Sequence, residues 1–345
     1  MVQKSTNRAW ELNEFGLENL QLRGRSIPEP GKNEVLVKVA AVSVNYRDVL
    51  VAGGGLLPYP PEMPFTPLSD MCGYVAAIGE GVSEFNVGDR VISHFRTTWL
   101  DDDDFPDDGG YDRTLGAPLP GVLSKYCVVP ETGIVKAPES LTEIEASTLP
   151  IAGLTAWSAL QEIGCLKPDT WVVTQGTGGV ALSALKIAKA YGVKVALTSR
   201  SPQKFEDAYR EGADFIIDTS SENEWSGKFL THTKCRPAAQ VLELIGGDNL
   251  KESLAVLGHG GQLHSIGFLE SRYAEVDLIP LNVKKISING ISVGHRKALQ
   301  RFVEAVDSRG IKPVVSQVFG FSQAPEAFDA MKKGAFGNVV INVEG

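Results

Sequence analysis

The chain changes rhythm along its length. Residues 35–44 and 74–78 alternate apolar and polar positions, and a Gly88-Asp89 turn leads into a short apolar run at 90–93. A period of two turns one face of a strand inward, so the first third predicts a compact β-barrel-like domain with short helices. From about Val129 apolar runs alternate with helix-period stretches. Strands are predicted at 171–174, 193–198, 215–218, 240–245, 262–268 and 286–293, with helices at 182–191, 202–211 and 250–257 between them. Ser201 is the expected N-cap of the second helix, Pro202 suits its first position and Gly212 its end. Strands joined in this way by helical crossovers specify an α/β fold with a doubly wound parallel sheet. A helix at 298–308, short strands and a helix around 325–332 break that rhythm and are expected to return to the first domain. The predicted division is 1–128 with 295–345 as one domain and 129–294 as the other. A ligand cleft is expected between them, along the carboxyl ends of the strands.

The most informative stretch is WVVTQGTGGVALSALKIAKAYGVKVALTSR, residues 171–200. A strand runs into a turn with Gly176, Gly178 and Ala181 spaced G-x-G-x-x-A, and a helix follows. Small residues there permit a tight turn, close approach of backbone amides to a pyrophosphate, and close helix–strand packing. Gly176, Thr177, Gly178, Gly179 and Val180 are therefore candidate phosphate contacts at a helix N-terminus. Ser199 stands where an acidic residue would hold the ribose of NAD(H), and Arg200 and Lys204 follow it. A small polar residue beside two cations suits a 2′-phosphate, which favours NADP(H) over NAD(H).

Composition narrows the class. The chain has 345 residues with 43% hydrophobic and 22% charged, as in soluble globular proteins, and a net charge of −9 that argues against a nucleic-acid partner. No apolar run approaches a membrane span, and the polar opening lacks a signal peptide's apolar core. The four cysteines lack C-x-x-C spacing, which fits reduced thiols and a cytoplasmic location. The acidic run 100–108 reads as a solvated loop. His259 and His264 read as surface or hydrogen-bonded imidazoles.

Taken together, NYRD (45–48), PLSDMCGYV (67–75), GEGVSEFNVGDRV (79–91), AGLTAW (152–157), QGTGGVA (175–181) and FGNVVI (336–341) resemble the medium-chain dehydrogenase/reductase superfamily over nearly the whole chain. The likeness is greatest to its zinc-free branch of quinone oxidoreductases and enoyl reductases. It implies a GroES-like catalytic domain beside a Rossmann domain, and a homodimer. Asn45, Ser69 and Ile151 fall where metal-dependent members place Cys, His and Cys, and residues 97–112, where some hold a second zinc, contain no cysteine. No zinc is expected at either place.

Without a metal, charge on the hydride acceptor must be stabilised by hydrogen bonds. The resemblance places Asn45, Tyr46 and Ser69 at the nicotinamide, with Tyr46 as donor or general acid toward a carbonyl oxygen. Phe95 and His94 would line the substrate pocket. Asn45, Thr155, Asn338 and backbone groups at Gly246, Gly267, Phe268 and Val293 would border the cofactor. Asp48 is expected to fix the turn beside Asn45, and Asp70 to be a hydrogen-bonded structural carboxylate. The activity implied is NADPH-dependent reduction of an enone, enoyl compound or quinone. A metal-free alcohol dehydrogenase or ketone reductase, acting on a natural product among other substrates, is the second enzymatic reading. A non-catalytic NADP(H)-binding sensor is the reading of another class.

Overall fold

The computed structural model describes residues 6–55, 59–105, 113–221 and 224–344. It divides into two units, Met1–Leu154 with Gly294–Gly345, and Thr155–Val293. Residues 129–154, assigned above to the nucleotide-binding domain, pack with the first unit instead.

In chain order the strands are β1 (Thr6–Leu12), β2 (Leu20–Ser26), β3 (Glu34–Val44), β4 (Asp70–Ile78), β5 (Arg90–Ser93), β6 (Tyr126–Pro130) and β7 (Ile134–Lys136). They continue with β8 (Trp171–Gln175), β9 (Lys194–Ser199), β10 (Phe215–Asp218), β11 (Ala238–Glu243), β12 (Leu257–Ser265), β13 (Ser287–Gly290), β14 (Val315–Gly320) and β15 (Asn338–Asn342). Element types follow the sequence pattern, while several edges shift. The strand expected at 262–268 starts five residues earlier as β12, and that expected at 286–293 shrinks to β13.

In the first unit a seven-stranded sheet runs β14-β15-β3-β4-β5-β7, with β6 pairing β3. The return of the C-terminal segment is direct: β15 pairs antiparallel with β3, Val340 opposite Ser43. Val37, Val39, Val42, Met71, Val75, Val339 and Ile341 give this sheet its buried face, closed by Phe321 and Phe328 from the C-terminal segment. The first unit is the GroES-like domain.

In the second unit a six-stranded sheet runs β10-β9-β8-β11-β12-β13, every pair parallel. Numbered within the unit this is the order 3-2-1-4-5-6 of Rossmann dinucleotide-binding sheets. Every residue of β8 is buried, as a central strand covered on both faces requires. The order reverses between β8 and β11, so the turns leaving those two strands flank the switch point, where such sheets bind ligands.

The segment expected as one helix at 202–211 is a 3-10 turn, Pro202–Lys204, followed by the helix Phe205–Arg210. Ser201 makes no side-chain cap there. Gly212 ends it with φ +110°, a conformation natural only for glycine.

Candidate functional site

Candidate nucleotide-binding residues lie in the second unit. The chain leaves β8 at Gln175, turns at Gly176 with φ +80°, and enters the helix Gly179–Ala190 from Gly178. A Cβ placed on Gly176 or Gly178 would meet no protein atom within 4 Å. Packing therefore does not demand small residues there. What they keep clear is the approach to the amides at the start of a twelve-residue helix, which fits a pyrophosphate. Thr177 is buried, and Ala181, third of the small residues, is buried beneath the helix.

Ser199 ends β9, buried, with its hydroxyl accepting from Ser201 N at 3.2 Å. Arg200 is exposed and Lys204 half-buried beyond it. Desolvation lowers the Lys204 ammonium below its ordinary pKa, an effect that a nearby anion would offset.

The turn after β11 completes this edge. Gly246 and Gly247 both have positive φ. A Cβ on Gly246 would lie 2.2 Å from Ser271 O, and one on Gly267 would lie 2.5 Å from Leu244 O, so neither position tolerates a side chain. Phe268 is 47% exposed beside them. Val293 holds φ +62°, a strained conformation for a β-branched residue. Thr155, in the helix Leu154–Trp157 between two π-helical segments, is buried.

Sequence reasoning missed the support under these turns. Glu243, 1% exposed at the end of β11, accepts from Ile245 N and Gly246 N, both at 3.0 Å. It also takes Gln175 Nε2 at 2.9 Å, while Gln175 Oε1 accepts from Leu244 N at 2.9 Å. Asn249 and Ser253 donate to the same carboxyl. One buried side chain thus ties the residue before the Gly176 turn to the Gly246 turn. Its signal in the sequence is a lone acidic residue closing a mostly apolar strand.

Candidate catalytic residues lie in the first unit, where β3 ends and the short helix Tyr46–Ala52 begins. Asp48 accepts from Asn45 N at 2.8 Å and so fixes that turn, as expected. Asn45 Nδ2 donates to Asp70 Oδ2 at 3.0 Å, and Ile151 N donates to the same oxygen at 3.0 Å. Asp70 Oδ1 has no partner, and the residue is fully buried. Burial, reinforced by the neighbouring Asp48 carboxylate, raises Asp70 well above the usual carboxylate range. Burial raises Asp48 too, with Arg47 opposing.

Ser69 is fully buried, donates its hydroxyl to Leu115 O at 2.8 Å and accepts from Arg47 Nη1 at 2.8 Å. Its proton is committed, so the donor role expected for Ser69 is not available in this arrangement. Arg47 also meets Asp48 Oδ1 at 3.2 Å, and its guanidinium lies 4.7 Å from the centre of the Phe95 ring. Tyr46 is 47% exposed, and its hydroxyl makes no hydrogen bond among the described residues. It is therefore not a buried aromatic.

His94 is fully buried beside Phe95, with Nε2 3.3 Å from Gly294 O, and burial holds its pKa down at about 4. It is neutral at physiological pH. Asn338 spends its side-chain amide on Val314 O at 3.0 Å. The described part of the acidic run is not simply solvated. Asp101 pairs with Lys297, and Asp102 lies 3.0 Å from His295 and 4.0 Å from Arg301. Residues 106–108 of that run lie outside the described residues. His264, expected as a surface or hydrogen-bonded imidazole, is buried and bonded to Gln240 Oε1 at 3.0 Å.

Comparison with known proteins finds a family for each unit. The chain matches the alcohol dehydrogenase GroES-like domain over residues 31–139 and the zinc-binding dehydrogenase domain over residues 179–308. It is 35% identical over 340 residues to a zinc-type alcohol dehydrogenase-like protein of Schizosaccharomyces pombe, covering 95% of this chain and 96% of that one. Identity to the quinone oxidoreductase of Homo sapiens is 26%, over 97% of each chain. The crystal structure of a protein assigned as an alcohol dehydrogenase from Sinorhizobium meliloti 1021 has a TM-score of 0.93 and 43% identity, covering 99% of this chain and 100% of that one. The chain belongs to the medium-chain dehydrogenase/reductase family, and it is an NAD(P)-dependent oxidoreductase.

Proposed function

We propose that the protein is an NADPH-dependent, zinc-independent reductase that delivers hydride to an activated carbon–carbon double bond, in an enone, an enoyl compound or a quinone. The observation that carries this reading is the bonding of Asp70. Two of the three positions aligned with zinc ligands, Asn45 and Ile151, are joined through that one carboxyl group. Ile151 has no side-chain donor, Ser69 is committed to Leu115 and Arg47, and a neutral amide is a poor partner for zinc. These residues do not fit a zinc ion.

A bound nicotinamide cofactor supplies the hydride. The remaining work falls to the protein. Tyr46 donates its phenolic proton to the carbonyl oxygen on which charge collects as the β-carbon takes the hydride. Ser199, Arg200 and Lys204 support the choice of NADPH, because a short hydroxyl beside two cations accommodates a 2′-phosphate. The reading extends to a homodimer, since Leu278, Ile279 and Val283 are all more than 60% exposed near the edge strand β13. Four free cysteines fit a reducing compartment, and among the described residues no helix is long and apolar enough to cross a membrane.

NADPH oxidation measured against enones, quinones and simple ketones, with metal analysis of the pure protein, tests the reading. Turnover of the first two classes by metal-free protein is expected. Turnover of simple ketones alone would favour the alcohol dehydrogenase reading, which the names of the relatives support. A requirement for zinc would overturn metal independence.

A further inference from the structure

We propose that Arg47 is the electrophilic residue of this site, a fixed cation whose free edge holds the oxygen of a carbonyl acceptor as it becomes negative. The inference rests on the reading above and adds a residue and a recognition rule to it.

The guanidinium is anchored on one side only. Nη1 donates to Ser69 Oγ at 2.8 Å and to Asp48 Oδ1 at 3.2 Å. The flat face rests 4.7 Å from the centre of the buried Phe95 ring. Nε and Nη2 make no hydrogen bond among the described residues and are not among the buried polar atoms left without a partner. The side chain is 21% exposed, so its unpartnered edge reaches solvent. A guanidinium held at one nitrogen and packed on a ring loses little further freedom on binding, and it presents two parallel N–H donors.

The surrounding charges keep that edge effective. Asp48 balances Arg47 from the anchored side. His94, held at about 4, adds no second cation. Arg47 is thus a permanent positive charge bonded to Ser69, one of the positions where relatives carry a metal ligand. In the reaction, hydride bonds to the β-carbon, the π pair shifts to form an enolate, and the oxygen that gains the charge is met by the Arg47 edge. Tyr46 then gives its proton to the enolate oxygen, the resulting enol tautomerises to the saturated carbonyl compound, and Tyr46 takes a proton back from solvent. The preferred substrates are therefore carbonyl-conjugated alkenes, and small carboxylates should compete for the same edge.

The test uses the full-length protein with NADPH and the acceptor that it reduces fastest. Arg47→Gln should lower kcat roughly 100-fold and leave NADPH affinity by fluorescence within about twofold, with some loss of melting temperature because the buried Asp48 loses its cation. Arg47→Lys should recover part of the loss, and millimolar guanidinium should restore turnover to Arg47→Ala. Unchanged kcat in Arg47→Gln would overturn the proposal. So would a loss matched in NADPH affinity that guanidinium does not rescue, which would make Arg47 purely structural. If the wild type reduces no acceptor, the functional reading fails first. Arg47 is then judged by calorimetric titration of the NADPH complex with but-2-enoate. Binding tenfold tighter to wild type than to Arg47→Gln supports the assignment, and equal or absent binding overturns it.

Discussion

Replacing Asp70 tests the arrangement that distinguishes this site. Its Oδ2 receives Asn45 Nδ2 and Ile151 N, both at 3.0 Å, while Oδ1 is buried without a partner. With its pKa raised well above the ordinary carboxylate range, the group holds its proton to a higher pH than the unfolded chain does. Asparagine has nearly the shape of the protonated acid and keeps one oxygen for the same two donors. At a pH where Asp70 carries its proton, Asp70→Asn should cost less than about 1 kcal/mol, because the lost interactions are then neutral ones. Asp70→Ala orphans two buried N–H groups at about 1–3 kcal/mol each and opens a cavity, so a loss of about 2–6 kcal/mol is expected. Urea unfolding midpoints read both values. The sign of the pH dependence gives a second check. A folded pKa above the unfolded one makes the stability of wild type relative to Asp70→Asn grow as pH falls through the folded value, with no further gain below the unfolded one. An Asp70→Asn variant as unstable as Asp70→Ala, or a difference that shrinks on acidification, would refute a proton on Asp70. The carboxylate would then be ionised and its bonds charge-assisted.

Other expectations can be checked separately. Tyr46→Phe should lower kcat with little change in NADPH affinity, and unchanged turnover would leave its hydroxyl without a role. Arg200→Ala should weaken NADPH binding about tenfold and leave NADH nearly unaffected; equal losses would remove the 2′-phosphate assignment. Gly178→Val should abolish nucleotide binding with almost no change in melting temperature, because the added side chain meets open space where phosphates are expected. A large thermal loss would show that the glycine serves packing. His264, held by burial at about 4 against 6.5, binds its proton more readily when unfolded. Its contribution is present above pH 6.5 and is lost as pH falls toward 4, about 2 kcal/mol of it between pH 7 and 5. His264→Asn should flatten that part of the acid-unfolding curve.

The fold was legible because its signals are local. The β-branched apolar runs at 35–44 and 171–175, each bounded by turn residues, identify strands from local sequence. The glycines of the first βαβ unit mark its turn by what a Cβ would obstruct. The edges were less legible. Register and strand length depend on partners distant in the chain, as β12 shows by starting at Leu257 against β11. The placement of residues 129–154 was also not readable. β6 pairs with β3 nearly a hundred residues earlier, and that pairing assigns the segment to the first unit.

The sequence by itself determined the glycine turn after β8 and the alternating architecture of the second unit. Those are matters of composition and spacing, fixed before any chain folds. Only tertiary structure decided how the leftover polar groups were shared. Asp70 meets both Asn45 and Ile151, Ser69 gives its proton to Leu115, and Arg47 keeps one edge open. The reason is hydrogen-bond accounting in a desolvated interior. A buried donor must find an acceptor, and which one it finds depends on strands and turns that the local sequence does not contain.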